Sequence, residues 1–409
     1  MNNHSKTSLR VWLGLLCFAF MGLANATDLP EQSDPLAVGI TNEKAGELQA
    51  ALQSAVDAGK IPGAVLLVAN RDSKGLLLYI GQQGPNDNAS VNEDTLYRIF
   101  SMTKPVVSVA AMILVDQGKL SLNDPVSRYI PEFADLKVLD EVTGKVAPAK
   151  KVMTVEHLLT HESGLIYGVF DRGSRLGRAY LDGGASSSAL TALELSKKLA
   201  SLPVRFEPGT RWHYGRSTDV LGAVLEVASG LPLDALLDQL LFAPLGMKDT
   251  FFYVPADRAE RLAEPFYGEL GNPRVQKPML SGGGGLVSST KDYAQFGLML
   301  INQGRHEGKQ IIKPESLLLM QKPFIGERVS REHFFYKDNG DFGLGFGLLP
   351  IDPANPDSSY TYGWSGYAGT EFWVDPENGF FVVYMIQAHS VPGGVGFKPR
   401  RQVYNALSQ

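Results

Sequence analysis

An α+β fold, in which an antiparallel sheet flanked by helices is joined to a mostly helical lobe, is the class this chain predicts. Three observations carry it: strand-like runs gather at both ends of the 409 residues, helical patterning fills the middle, and the length exceeds what one hydrophobic core usually serves. The simplest assembly pairs the two ends in one sheet. That gives a sheet lobe of about 40–130 and 286–400 and a helical lobe of about 131–285, within one unit spanning 27–409. A cleft between two lobes is the usual place for a small-molecule site.

The first 26 residues read as a secretory signal: Lys6 and Arg10 make a basic start, 11–23 is an apolar core, and Ala24-Asn25-Ala26 is a small-residue cleavage site. Export to the periplasm or the medium is the expectation. The apolar run falls short of the roughly 20 residues a membrane-spanning helix needs, and nothing later comes close, so no integral span is expected. Cys17, the single cysteine, lies inside the signal behind Leu15-Leu16, where a lipoprotein signal would want a small residue. The mature chain would therefore hold no disulfide and no cysteine-bound metal. A net charge of −5 with scattered lysine and arginine argues against nucleic acid or an anionic membrane surface as partner.

Along the remainder, 43–58 has the periodicity of an amphipathic helix, and 63–69 and 75–80 read as two strands of a hairpin. A third strand, 95–100, runs straight into Ser101. Residues 101–117 are apolar nearly all round, as a helix in the middle of a domain would be. The segment 163–188, rich in glycine, serine and charge, reads as a loop overhanging the cleft. Residues 219–228 form a helix ending at Gly230. Toward the other end, 342–349, 370–374 and 379–387 read as strands, the last two joined by the turn Asp375-Pro376-Glu377-Asn378-Gly379.

Ser101-Met102-Thr103-Lys104 is the most informative motif, because helical spacing puts Ser101 and Lys104 on one face. Serine is a poor nucleophile at its free pKa, whereas an ammonium desolvated in apolar surroundings gives up its proton more easily and can then accept one from the hydroxyl. From spacing and burial alone, a catalytic pair and a helix start with a surface lysine both remain open. The chain contains a control in Ser288-Ser289-Thr290-Lys291, where Ser289 and Asp292 form a capping pair before a helix at 293–300, a structural arrangement.

Other candidates are weaker. His157 and His161, four apart on a helix with Glu156 and Glu162 adjacent, hint at a metal, but a zincin needs glutamate where Leu158 stands. A helix packing Leu158 and Leu159 is the better reading. Gly282 to Gly285 lacks the ending of a phosphate loop and reads as a tight backbone passage. Gly363-Trp364-Ser365-Gly366 misses the last glycine of a nucleophile elbow, since Tyr367 occupies that place. Tyr214 is a base only if cations hold its pKa well below about 10; alone it reads as a packing tyrosine.

Taken in order, Ser101-x-x-Lys104, Tyr214 and Gly363-Trp364-Ser365-Gly366 resemble the serine β-lactamase-related family, most of all the family VIII carboxylesterases with their class C β-lactamase-like fold. Further stretches similar to that family include Leu158-Leu159-Thr160-His161-Glu162-Ser163-Gly164-Leu165, Phe206-Glu207-Pro208-Gly209 and Pro244-Leu245-Gly246-Met247. The resemblance implies a β-lactamase/transpeptidase-like fold in which Ser101 attacks a carbonyl, Lys104 helps deprotonate it and holds the local field, and Tyr214 acts as base or proton shuttle between nucleophile and leaving group, which requires a positive Lys104 close by to make its phenolate accessible. It also implies an oxyanion held by backbone N–H groups of Ser101 and Tyr367, and no metal or organic cofactor. Trp364, Ser365 and Gly366 would line the substrate. Two departures sort the subfamilies: Arg216 stands where β-lactamases carry asparagine, and Trp364 stands where their third motif begins with lysine. Losing that cation weakens recognition of an anionic substrate, and esterases of the family carry tryptophan there. The expectation is a serine hydrolase of short or medium acyl esters with feeble β-lactam turnover, Arg216 being free to bind an acidic group. A β-lactamase, a D-Ala-D-Ala carboxypeptidase-type peptidase, an acyltransferase and a non-catalytic cell-wall peptide binder remain as alternatives.

Overall fold

Seven antiparallel strands bring the two ends of the chain together. The computed structural model describes Leu29 and residues 34–407, apart from 87, 327–328, 337–338, 353–354 and 356–357; the expected signal and Cys17 lie outside the described residues. The strands are β1 (Gly63–Asn70), β2 (Gly75–Gly81), β3 (Asp341–Phe342), β4 (Gly347–Pro350), β5 (Tyr360–Ser365), β6 (Glu371–Asp375) and β7 (Phe380–Ile386), in the order β2-β1-β7-β6-β5-β4-β3. β1 pairs with β7 across the length of the chain, from Ala64 opposite Ile386 to Asn70 opposite Phe380.

The two faces of β1 explain the layers. Val65, Leu67 and Ala69 point into the larger core, whereas Ala64, Leu66 and Val68 point into a second one, as a strand's period of two requires. The second core is closed by helices Asn42–Asp57 and Pro399–Ala406. Against the other face lies Thr290–Ile301, capped by Ser289, whose side chain accepts from the Asp292 N–H. Ser289 and Asp292 are thus a helix cap, as their spacing suggested.

Beyond that face lies the helical part of the chain. Helix Thr103–Asp116 is buried from Thr103 through Leu114, which accounts for its apolar sequence on every side. It packs against Ser217–Ser229, a helix closed at Gly230 in the left-handed conformation. Among the described residues no single helix is long and apolar enough to cross a membrane.

Several expected elements differ. The strand before Ser101 is only Leu96–Arg98 and pairs with Val287–Ser289 in a separate two-stranded sheet, because the chain must leave the main sheet to deliver Ser101 to the cleft. The run 342–349 is broken into β3 and β4 by a tight reversal at Gly345, where φ is +86° and a Cβ would come within 2.1 Å of Ser108 Oγ. Strand β5 was not expected, and Trp364 lies on it. His157 and His161 do not share a helix: Val155–Leu159 ends first, His157 Nδ1 accepts from the Thr154 N–H in a capping box, and His161 sits beyond at φ +59°. The segment 163–188 is not all loop, since it contains helix Arg175–Asp182.

Candidate active site

Ser101 sits in a single turn of 3-10 helix, Phe100–Met102, that leads into the buried helix Thr103–Asp116. Phe100 adopts φ +44°, a left-handed conformation that costs a residue with a Cβ on the order of 1–3 kcal/mol and is held only where surrounding structure enforces it. The turn is gripped from the far end of the sequence. At the end of β5, Gly366 runs so close that a Cβ there would lie 2.5 Å from the Ile99 carbonyl oxygen, and the Thr370 hydroxyl donates to that same oxygen at 3.4 Å. The Tyr367 ring meets the Phe100 ring edge-on at 5.6 Å.

Around Ser101 the candidates converge. Lys104 Nζ donates to Ser101 Oγ at 3.2 Å, and the Tyr214 hydroxyl donates to the same oxygen at 2.6 Å. Lys104 is 1% exposed, so it is not a surface lysine. Its ammonium also donates to the Gly283 carbonyl at 2.6 Å and the Tyr167 hydroxyl at 2.9 Å, and lies 4.6 Å from the centre of the Tyr214 ring. Burial works to lower its pKa, but the phenol oxygens of Tyr167 and Tyr214 outweigh that and hold it above the ordinary lysine value. The expected easy loss of the Lys104 proton is therefore reversed: the amine stands as a cation facing two phenols. Burial pushes Tyr167 up to about 12, against the pull of Lys104.

Trp364 is almost fully buried, and its Nε1 donates to the Tyr214 hydroxyl at 3.3 Å. Ser365 and Gly366 follow it at the strand end, Ser365 exposed, and the Tyr367 side chain is 57% exposed at the mouth. Beneath Tyr214 lies His161, its ring centre 4.9 Å away; burial, then the Lys104 charge, holds it well below the ordinary histidine value, so it packs there as a neutral ring.

Arg216 does not offer a free charge. It forms an ion pair with Asp219 at 3.0 Å, stacks 4.8 Å over the Tyr167 ring and reaches Ser186. Asp219, 1% exposed, also accepts from Ser281 Oγ at 2.6 Å and from the Gly283 N–H at 3.0 Å. Its burial would raise its pKa, but Arg216 and the other donors bring it below the ordinary carboxylate value. The chain of contacts thus runs from Arg216 through Asp219 to Gly283 and on to Lys104.

Next to the turn, a cavity of about 590 Å³ opens between Phe100 and Gly284 and is lined by Phe252, Val275, Met279 and Leu280. Among the described residues no group of three or more histidine, cysteine or acidic side chains could hold a metal ion.

Sequence reasoning missed Tyr167, Asp219 and the Gly283 carbonyl. Tyr167 lies in a stretch whose composition says only loop, and Asp219 looks like any acidic residue in a first helical turn. The carbonyl has no side-chain signal, although the run Gly282 to Gly285 marked a close backbone passage.

The model of the Beta-lactamase family matches residues 48–403. Protein Rv1367c of Mycobacterium tuberculosis strain H37Rv is 36% identical over 363 residues, covering 83% of this chain and 89% of that protein. Esterase EstB of Burkholderia gladioli is 37% identical over 252 residues, covering 59% of this chain and 61% of that protein. Among solved structures, EstCE1, a hydrolase with promiscuous acyltransferase activity, superposes with a TM-score of 0.73 at 26% identity, covering 89% of this chain and 98% of that one.

Proposed function

Because this chain belongs to the Beta-lactamase family, with a serine β-lactamase-like fold and relatives that include an esterase, we propose that it hydrolyses short or medium acyl carboxylic esters through an acyl-enzyme on Ser101. The observation that carries this reading is that Lys104 and Tyr214 both meet Ser101 Oγ while an aromatic wall, not a free cation, faces them. Ser101 Oγ attacks the ester carbonyl. Tyr214 relays the proton: its oxygen receives the one leaving Ser101 as its own hydroxyl proton goes to the departing alcohol oxygen, and the Lys104 cation compensates the negative charge that moves through the site. The oxyanion is received by the N–H groups of Ser101 and Tyr367, a role supported by the close packing of Gly366 on Ile99. Water admitted to the place of the alcohol attacks the acyl carbonyl, its proton is relayed through Tyr214 back to Ser101 Oγ, and the acid is released. The acyl chain enters the cavity beside Phe100.

With Trp364 in the third motif and Arg216 neutralised by Asp219, neither position offers a cation to a substrate carboxylate, which favours neutral esters over β-lactams and peptide termini. Acyl transfer to an alcohol is the second reading, favoured by the likeness to EstCE1. Cleavage of the secretory signal after Ala26, and with it export, is part of the same proposal.

The test is hydrolysis of p-nitrophenyl acetate and butyrate by protein beginning at Thr27, beside Ser101→Ala and a chromogenic cephalosporin. Ester turnover lost in Ser101→Ala, with little cephalosporin hydrolysis, is the expected result. Activity surviving in Ser101→Ala would overturn the assignment of the nucleophile, and an alcohol acceptor added to the assay reads out transfer.

A further inference from the structure

Resting on the hydrolase reading, one wall of the site indicates which alcohols its esters carry. The alcohol oxygen that leaves must take a proton, and the Tyr214 hydroxyl, 2.6 Å from Ser101 Oγ, is the group placed to give it. The alcohol portion therefore departs on the Tyr214 side, away from the cavity beside Phe100 and Gly284. On that side the surface is built of aromatic rings. Trp364 lies 5.6 Å from Tyr214, and Phe335 lies 5.2 Å from Tyr214, 5.2 Å from Trp212 and 6.2 Å from Trp364, the last in near-parallel stacking at 21°. Trp212 and Trp364 are buried, yet Phe335 is 58% exposed. One side of its ring thus rests on the catalytic aromatics and the rest is open. A large apolar ring left this open beside a reacting group has a specific use if substrate covers it, because offset or edge-on ring contacts add to plain burial.

We propose that Phe335 is a specificity-determining residue whose open face, continuing the wall of Trp364 and Tyr214, receives a flat, uncharged aromatic alcohol, so that aryl-bearing alcohol esters are the favoured substrates. In the step concerned, the Ser101 Oγ–carbonyl bond forms and the bond from carbonyl carbon to alcohol oxygen breaks. The proton removed from Ser101 ends on the departing aromatic alcohol by way of Tyr214, so the balance needs no further reactant.

Benzyl butyrate and cyclohexylmethyl butyrate test this, since they share an acyl group and differ little in size or in the basicity of the leaving alcohol. The intact enzyme is expected to favour the benzyl ester by about 3- to 10-fold in kcat/KM, the range that one aromatic contact supplies. Benzyl alcohol should also inhibit p-nitrophenyl butyrate hydrolysis at lower concentration than cyclohexylmethanol. Phe335→Leu, at an exposed position that tolerates the change, should bring both ratios to near unity, and Phe335→Trp should retain them. Equal rates in the intact enzyme, or a ratio unmoved by Phe335→Leu, would overturn the proposal while leaving the hydrolase reading standing, provided that p-nitrophenyl butyrate still acylates Ser101. If mass measurement shows no acylation from any of the three esters, both fall together.

Discussion

Replacing Asp219 with alanine is expected to damage stability and catalysis by separable routes. Asp219 and Arg216 form an ion pair at 3.0 Å with side chains only 1% and 14% exposed, so removing the carboxylate leaves a guanidinium without its partner in a poorly solvated place. Breaking a buried pair in this way costs about 3–5 kcal/mol, whereas replacing both members with apolar groups is often close to neutral. The double variant Asp219→Ala/Arg216→Met still leaves Ser281 and the Gly283 N–H without the oxygen they donate to, a loss of about 1–3 kcal/mol. Urea denaturation should therefore rank wild type above the double variant and the double variant above the single. Ester hydrolysis should not follow that ranking. Gly283 presents its N–H to Asp219 and its carbonyl to Lys104, so losing Asp219 frees the strip of backbone that holds the ammonium, whether or not Arg216 has been removed. Both variants should lose kcat by a similar factor, on the order of 10-fold or more as for a misplaced catalytic group. A double variant as unstable as the single would refute the buried-charge argument. Restoration of wild-type kcat in the double variant would refute the link through Gly283.

Other consequences follow from single contacts. Lys104→Ala should lower kcat for p-nitrophenyl butyrate by about 10²- to 10⁴-fold, since it removes the charge beside the proton transfer; a loss under 10-fold would show that Tyr214 works without it. Gly366→Ala should reduce kcat more than stability, because its Cβ would strike the Ile99 carbonyl and Thr370 Oγ1 and push β5 away from the Ser101 turn; steady-state kinetics beside thermal unfolding distinguish the two effects. Burial pushes Asp292 up to about 7 despite the hydrogen bond from Thr250, so the folded chain holds a proton that the unfolded chain releases near pH 4. Its contribution to stability therefore falls as pH rises from about 4 to 7, and Asp292→Asn should flatten that decline. The check is the urea midpoint at pH 5 and pH 8, where an equal pH response in both proteins counts against the assignment.

What could be read in the sequence was whatever local periodicity or motif spacing encodes. The β1–β2 hairpin, the helices at 43–58 and 219–228 and the pairing of both chain ends follow from alternation and turn chemistry. Ser101, Lys104 and Tyr214 followed from ordered motifs, and the structure brings them together within hydrogen-bonding reach. The features that escaped depend on where the chain goes after it turns. Strand β5 did not stand out because Tyr360-Thr361-Tyr362-Gly363-Trp364-Ser365 is buried along most of its length and shows no alternation to detect. The positive charge of Lys104 was implied by the family resemblance but escaped the reading from spacing and burial, for a related reason. Burial alone argues for a neutral amine, and it takes Tyr214 together with Tyr167, the latter delivered by a segment that reads as plain loop, to reverse the sign.

That reversal bears on how the site divides its labour. An amine held as a cation cannot be the resting base for Ser101, so the proposed mechanism relays the proton through an oxygen, and of the two phenols on Lys104 it is Tyr214 that hydrogen-bonds the serine. Tyr167 instead sits between Lys104 and Arg216, donor to neither reacting atom, where its ring and hydroxyl separate two cations that would otherwise face one another. Tyr167→Phe should then remove one acceptor from Lys104 while keeping the ring between the cations. Because the phenol is one of the groups that raise Lys104, its loss should leave the ammonium less firmly held, and kcat at pH 7 should change less than in Tyr214→Phe. A kcat at pH 7 lowered as far by Tyr167→Phe as by Tyr214→Phe would show that Tyr167 takes part in the proton transfer rather than holding Lys104 in place.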